Sequence, residues 1–200
     1  EEHARILPWR ENPCAYYVWV SEIMLQQTRV EAVKPYFARF ILELPDVAAL
    51  AACPEDKYLK LWEGLGYYNR VRNLHAAAEQ VMEQFDGVIP DTPEKLLSLK
   101  GIGSYTAGAI ASIAYNKPVP AVDGNVLRVI SRVCADDSDI MKQSVRKGVE
   151  KQIQNMMVQE VNHGLIPRNF NQALMELGAM VCVPNGAPHC EACPWEKFCE

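Results

Sequence analysis

Three short segments of the sequence combine residue types and spacings that could support catalysis. In the first, Trp19-Val-Ser-Glu-Ile-Met-Leu-Gln-Gln-Thr-Arg29, Glu22 stands among large apolar residues on a predicted helix. A glutamate buried in such surroundings favours its protonated form and can act as a general acid near neutral pH. The alternative is a solvated glutamate on the polar face of the helix.

The second segment is Leu99-Lys-Gly-Ile-Gly-Ser-Tyr-Thr-Ala-Gly-Ala-Ile110, in which Gly101 and Gly103 precede a helix predicted to begin at Ser104. Two glycines one residue apart allow a tight turn and a close approach by another backbone. The free amide groups at the start of the helix favour an anion such as phosphate. The turn either merely connects two helices or forms a helix-hairpin-helix, a module that its pattern resembles and that grips the DNA backbone.

The third segment is Ala121-Val-Asp-Gly-Asn-Val126, which places Asp123 at the start of another predicted helix. An aspartate at such a position normally caps the helix through its side chain. Capping does not exclude chemistry, because a carboxylate fixed at a helix start is well oriented to oppose a developing positive charge.

Four of the seven cysteines lie close to the end of the sequence. Three others, Cys14, Cys53 and Cys134, are scattered, and we expect them to be free thiols. Clustered cysteines in an intracellular chain indicate a metal site before they indicate disulfides. The clustered four are Cys182, Cys190, Cys193 and Cys199.

Helical periodicity predicts the elements that must position these residues. Between residues 16 and 28, apolar side chains recur at the spacing of one helix face. No alternating strand pattern and no repeat of 20 to 50 residues is present, so the sequence predicts an all-α fold. Further helices are predicted at 31–42, 56–63, 68–84, 93–98, 104–115, 124–134, 142–162 and 168–181.

Composition and charge exclude several classes of protein. The 200 residues are 49% apolar and 22% charged, which is ordinary for a globular chain and unlike a disordered one. A net charge of −5 excludes a uniformly basic nucleic-acid coat but not a local basic patch. No apolar run approaches the roughly 18 residues of a membrane span, and the first residues do not form a signal peptide. We therefore expect an intracellular protein that does not bind membranes.

Together with Trp62-Glu-Gly-Leu-Gly-Tyr-Tyr-Asn-Arg70 and the clustered cysteines, these segments resemble the helix-hairpin-helix DNA glycosylase superfamily, from about Pro8 to Cys199. The first and third segments are similar to adenine DNA glycosylases of the MutY type. The resemblance implies two helical subdomains with the active site in the cleft between them. Residues 15–118 would form a six-helix barrel with the hairpin, and residues 1–14 with 119–200 an iron-sulfur subdomain.

The activity that this resemblance implies is removal of adenine mispaired with 8-oxoguanine or guanine in double-stranded DNA. The adenine must first be flipped out of the duplex. By similarity, Glu22 protonates the adenine ring, and Asp123 stabilises the oxocarbenium-like sugar that forms when the base leaves. Tyr105 and Asn125 match positions that support this pair of carboxyl groups.

Other matched positions would contact DNA. Three of them line the adenine pocket in the family, namely Trp9, Arg10 and Gln172. Gln27 and Tyr67 match wedge residues, which fill or open the base stack. Residue type alone leaves simpler alternatives open, because Trp9 and Tyr67 could be core aromatics and the other pocket residues could be ordinary surface side chains.

The four clustered cysteines match the ligands of a [4Fe–4S] cluster in the family. Zinc is the chemical alternative, although structural zinc sites usually contain two Cys-x-x-Cys pairs and only one, Cys190 and Cys193, is present. The loop from Cys182 to Cys190 holds seven residues, one more than expected, and lacks lysine and arginine. We expect its His189 to be solvated.

Two rival functions remain open at this point. An endonuclease III-type glycosylase and lyase shares the fold and the cluster, but its chemistry needs a lysine amine where this sequence has Tyr105. A catalytically silent DNA-backbone binder would not need both Glu22 and Asp123. We expect a monomer, in the cytoplasm or nucleoid of a bacterium or in a eukaryotic nucleus or mitochondrion.

Family members commonly continue into a C-terminal domain that recognises 8-oxoguanine. This sequence stops one residue after Cys199. We therefore expect that domain to be absent from the chain, which would be either a catalytic fragment or a short homologue.

Overall fold

The computed structural model describes residues 5–199. Residues 1–4 and 200, which belong to the predicted iron-sulfur subdomain, lie outside the described residues. Within the described part every regular element is a helix, which confirms the all-α class. None of these helices is both long and apolar enough to cross a bilayer. The α-helices are α1 (Pro8–Glu11), α2 (Ala15–Leu25), α3 (Val30–Glu43), α4 (Val47–Ala51), α5 (Glu55–Trp62), α6 (Asn69–Gln84), α7 (Pro93–Leu97), α8 (Ser104–Ala109), α9 (Gly124–Val133), α10 (Gln143–Glu160) and α11 (Pro167–Glu176).

The described chain divides into two compact units. The first unit comprises residues 6–115, and the second comprises residue 5 with residues 116–199. The sequence assigned residues up to 14 to the second part, but helix α1 packs within the first unit. The ring of Trp9 lies edge-on to that of Phe37 on α3, with 5.3 Å between ring centroids, and this aromatic contact explains the difference.

Helix α2 lies at the centre of the first unit. It contacts α1, α3, α6, α8 and the π-helical turn Ile110–Ala114 that continues α8. Because neighbours surround it, eight of its eleven residues are buried, among them Trp19 and Met24. An apolar helix of this kind has no solvent face. Its central position is therefore what buries the polar side chain of Glu22.

The second unit is built around α9, which packs against α10, α11 and the π-helical turn Leu177–Val181. The buried side chain of Asn171 on α11 ties down the segment that leads into α9. Its amide donates to the carbonyl of Val119 at 2.8 Å and accepts from the amide of Ala121 at 3.1 Å. These two bonds fix the approach of the chain to Asp123.

The observed helices differ from the predicted ones in three respects. Helix α2 was predicted to reach residue 28 but ends at Leu25, because Gln27 has a φ of +58° that no α-helix accommodates. Helix α4 was not predicted, and the carboxylate of Asp46 caps it by accepting from the amide of Ala49 at 2.7 Å. The predicted helices 104–115 and 168–181 each end in a π-helical turn.

Candidate functional site

Glu22 is buried on helix α2, where only 7% of its surface is exposed. The solvated alternative is therefore excluded. The hydroxyl of Tyr105 donates to Oε2 of Glu22 at 2.7 Å. Burial disfavours a charged carboxylate, and the hydroxyl orients the group. This pair has the features of a positioned proton donor.

Tyr105 is held in the first turn of α8 by the glycine turn that precedes it. Gly101 has a φ of +77°, and a Cβ there would lie 2.8 Å from the Cβ of Asn73 on α6. Only glycine fits both conditions. Gly103 has open space around it instead, and Ser104 next to it is exposed. The turn is therefore packed on one side and accessible to another backbone on the other.

Asp123 caps helix α9 and is half-buried. Its Oδ1 accepts from the amide of Val126 at 2.8 Å, and its Oδ2 accepts from the side-chain amide of Asn125 at 2.8 Å. Both carboxylate oxygens accept from N–H donors, which fixes the orientation of the group. Capping and an electrostatic role are thus compatible at this residue.

Arg128 completes this arrangement and was not identified from the sequence. Its guanidinium donates to Oδ1 of Asn125 at 2.8 Å, to the carbonyl of Gly178 at 2.7 Å and to the carbonyl of Cys182 at 3.0 Å. Burial is the main cause that lowers the pKa of Arg128, although an arginine in a protein keeps its charge. Its position three residues after Asn125, on the same helix face, was the available sequence signal.

Gly178 allows this close packing. A Cβ on Gly178 would lie 2.6 Å from the Cβ of Asn125 and 3.1 Å from its carbonyl oxygen. Gly178 lies in the π-helical turn, an element often found at functional sites. The orientation of Asn125, and through it that of Asp123, therefore depends on residue 178 being a glycine.

The four clustered cysteines are neighbours in the second unit. The Sγ of Cys182 accepts from Arg132 at 3.3 Å, and the thiol of Cys199 donates to the carbonyl of Arg132 at 3.6 Å. Partial desolvation raises the pKa of the Cys199 thiol, and three nearby thiols raise it further, those of Cys190, Cys193 and Cys182. The four cysteines thus share the last part of the second unit.

The donor set of this region fits a sulfur-ligated cluster. Within residues 5–199, no three histidine, cysteine or acidic side chains are grouped closely enough to hold one metal ion. A cubane spreads four thiolates over four irons, a wider arrangement than that around a single ion. His189 is exposed at the edge of the loop, with its ring nitrogen 3.8 Å from Glu191.

The predicted DNA-contacting residues differ in exposure. Gln27 and Tyr67 both project from the first unit, and Tyr67 is 68% exposed, which excludes a core role for it. Trp9 is 4% exposed and packs as a core aromatic does. Arg10 on α1 and Gln172 on α11 are half-buried. The wedge assignment of Gln27 and Tyr67 and the pocket assignment of Trp9, Arg10 and Gln172 stay predictions.

Comparison with known proteins finds relatives over nearly the whole chain. Residues 20–155 match the family described as HhH-GPD superfamily base excision DNA repair protein. An adenine DNA glycosylase of Buchnera aphidicola is 40% identical over 193 residues, covering 96% of this chain and 53% of the relative. The Homo sapiens adenine DNA glycosylase is 42% identical over 208 residues, covering 100% of this chain and 37% of the relative. The chain spans about half, or less, of the length of these relatives.

Solved structures of similar fold include a DNA glycosylase and an endonuclease. A thermostable thymine-DNA glycosylase aligns with a TM-score of 0.84 at 28% identity, covering 98% of this chain and 87% of that one. An endonuclease III trapped in a covalent DNA intermediate aligns with a TM-score of 0.75 at 21% identity, covering 99% and 88%. At 21% identity, the second likeness supports the fold alone.

Proposed function

The chain belongs to the HhH-GPD superfamily of base excision DNA repair proteins, and we propose that it removes adenine mispaired with 8-oxoguanine or guanine from double-stranded DNA. The reaction is hydrolysis of the N-glycosidic bond. The observation that carries this proposal is the buried Glu22 with the hydroxyl of Tyr105 at 2.7 Å. The names of the relatives, adenine DNA glycosylase, support the choice of base.

In the proposed reaction, Glu22 supplies the proton that makes adenine a competent leaving group. A flipped adenine presents its ring nitrogens to the pocket rather than to its partner base. A carboxyl group in an apolar setting donates a proton readily near neutral pH. Tyr105 keeps the carboxyl group in one orientation through its hydrogen bond. Because Tyr105 carries no amine, it forms no Schiff base, and the products are free adenine and an intact abasic strand.

Departure of adenine leaves positive charge on the sugar, and Asp123 opposes that charge. Its two oxygens are already oriented by Val126 and Asn125, so stabilisation requires no rearrangement at the moment of bond cleavage. Arg128 holds the amide of Asn125 in the orientation that directs its N–H groups toward Asp123. Water then adds to the sugar and completes the hydrolysis.

The remaining predicted residues recognise the substrate in this proposal. Trp9, Arg10 and Gln172 contact the flipped adenine, and Gln27 and Tyr67 occupy the base stack. The glycine turn contacts the DNA backbone through the amides of Gly101, Gly103 and Ser104, a mode of binding that needs no basic surface and suits a chain with a net charge of −5. We further propose that the protein acts as a monomer in a compartment that contains DNA.

We propose that the four clustered cysteines bind a [4Fe–4S] cluster and that residues from about 119 onward form its subdomain. When bound, the cluster cross-links the end of the chain, which has little regular structure between residues 182 and 199. Iron and sulfide analysis of anaerobically purified protein should find about four irons per chain. Substitution of Cys190 by alanine should lower that content. One zinc and no iron would overturn this assignment.

A single-turnover assay tests the proposed activity. Duplexes carry adenine opposite 8-oxoguanine, guanine, cytosine or thymine, and a fifth duplex carries an oxidised pyrimidine. We expect adenine release from the first two, with strand cleavage only after heat or alkali. Release of the oxidised pyrimidine with spontaneous nicking would favour the endonuclease III-type alternative. Binding of every duplex without release of any base would favour the silent binder.

A further inference from the structure

Arg70, on helix α6, joins two loops that are distant in sequence. One guanidinium nitrogen, Nη1, donates to carbonyls at the end of helix α2, those of Ile23, Met24 and Gln26. The other, Nη2, donates to the carbonyls of Leu65 at 3.1 Å and Gly66 at 3.3 Å. One side chain therefore satisfies the carbonyls of the segment before Gln27 and of the segment before Tyr67.

Both segments end in a residue with an unfavourable backbone conformation. Gln27 has a φ of +58° and Tyr67 a φ of +48°, and neither is glycine. Side chains rarely adopt this left-handed region, and such residues persist only where the surrounding structure holds them. Both residues are exposed, so core packing of their own side chains does not hold them. Several hydrogen bonds hold these segments, and those from Arg70 to the preceding carbonyls are the ones that link the two segments to each other.

Arg70 also contacts the ring of Tyr67. Its guanidinium carbon lies 5.7 Å from the centroid of that ring and 5.5 Å from that of Trp62. The indole of Trp62 donates in turn to the carbonyl of Gly66 at 3.1 Å. The Nε of Arg70 is buried without a hydrogen-bond partner in the described chain, so the contacts of the guanidinium to the two loops are made by Nη1 and Nη2. The cation–π contacts of Arg70 with Tyr67 and Trp62 add to the attraction that its hydrogen bonds provide.

We propose that Arg70 is a positioning residue that holds Gln27 and Tyr67 ready for insertion into the base stack before DNA binds. This inference rests on the proposed function, which assigns those two residues to the wedge. A preformed wedge spends none of the binding free energy on ordering its own loops, so more of it is available to unstack the target base. Lysine cannot replace arginine here, because it lacks the planar set of donors that reaches five carbonyls.

The closing experiment compares Arg70→Lys with Arg39→Lys. Arg39 is a matched control in the same unit: it donates to the carbonyl of Leu61 at 3.0 Å and lies 4.9 Å from the ring centroid of Tyr36. Both are placed in a Glu22→Gln background, so that DNA is bound but adenine is not released. Fluorescence of 2-aminopurine next to the target adenine reports unstacking. We expect Arg70→Lys to lower the equilibrium constant for unstacking of the base by about tenfold or more, which is the worth of one hydrogen bond to a charged group. We expect Arg39→Lys to leave that equilibrium constant unchanged.

A double variant separates positioning from general loss of structure. If Arg70 acts through Tyr67, then Tyr67→Ala already removes what Arg70 positions there. Arg70→Lys should then cost clearly less in the Tyr67→Ala background than it does alone. Equal losses in both backgrounds, or equal fluorescence for the Arg70 and Arg39 variants, would overturn the proposal.

If Arg70→Lys does not fold, NMR of the Arg70 side chain in the unsubstituted protein tests the proposal instead. The Nε–H resonance of Arg70 should show a rigid side chain on the nanosecond timescale in free protein. A mobile guanidinium would overturn the proposal. Failure of the proposed function is distinguishable, because the unsubstituted protein would then release no adenine, whatever the difference in fluorescence between the two lysine variants.

Discussion

The two carboxyl groups proposed for catalysis, one in each compact unit, occupy different kinds of surroundings. Glu22 lies inside the first unit, on a helix packed on all sides, and receives a hydroxyl from Tyr105. Asp123 lies half-buried at the start of a helix in the second unit and receives N–H donors on both oxygens. The first group is enclosed by apolar side chains, and the second is a helix cap held by two N–H donors.

This difference teaches that environment, rather than residue type, separates the roles of two similar groups. A general acid must hold a proton until the base leaves, and an electrostatic stabiliser must stay charged throughout. Pairs of titratable groups whose surroundings differ in this way identify the acid and the anion of an active site. Four experiments test whether Glu22 and Asp123 differ as their surroundings suggest.

The largest effect is expected for Glu22→Gln. The amide is nearly isosteric, so the protein should fold and bind DNA, but excision in a single-turnover assay should fall by about 10²–10⁴ or more because the proton donor is lost. Glu31→Gln is the control, since Glu31 is exposed and paired with Lys34 at 2.7 Å. Excision by Glu22→Gln at a rate near that of unsubstituted protein would remove Glu22 from the acid role.

Asp123→Asn tests the anion without removing the helix cap. Asparagine caps as well as aspartate but loses the acceptor for the Asn125 amide, so unfolding free energy should fall by only about 0.5–1.5 kcal/mol, while excision should fall by about 10²–10³ through loss of the charge. Asp46→Asn is the matched control, because Asp46 caps helix α4 by the same kind of bond, at 2.7 Å from the amide of Ala49. If the Asp123 variant excises adenine at the rate of unsubstituted protein, Asp123 serves only as a helix cap.

Tyr105→Phe removes the hydroxyl that orients Glu22 and should lower excision by about tenfold, the worth of one hydrogen bond to a reacting group. The control is Tyr115→Phe, which removes a hydroxyl bonded to the carbonyl of Ile89 in the same unit. Thermal unfolding of both variants accompanies the excision assay. If both tyrosine variants lose excision equally, the contact with Glu22 has no special part in the reaction.

The smallest effect is expected for Gly178→Ala. Its Cβ would lie 2.6 Å from that of Asn125, so the start of α9 must shift, at a cost of about 1–3 kcal/mol in unfolding free energy. Gly148→Ala is the control, because Gly148 lies within α10 with open space around it and should stabilise by about 0.5–1 kcal/mol. Urea denaturation measures both. If both variants change the unfolding free energy in the same direction, Asn125 is not held by its contact with Gly178.

Much of the fold was predictable because helices follow local rules. Apolar spacing located helices such as α6 and α9 to within a residue or two, and Asp123 was expected to cap α9 as it does. Short α4 was missed, since five residues are too few to show a helical period. Burial of Glu22 was left open, because the apolar spacing identifies one buried face of α2 and does not show that neighbouring helices also cover the others.

By itself the sequence determined the all-α class, most helices and the motifs of the glycosylase superfamily, because these depend on neighbours a few residues apart. Tertiary structure alone decided the surroundings of those motifs. The hydroxyl of Tyr105 reaches Glu22 across 83 residues of sequence, and Arg128 reaches Gly178 across 50. Arg70 reaches Gln26 across 44. Such contacts form only when packing brings distant helices together, and no local pattern encodes them.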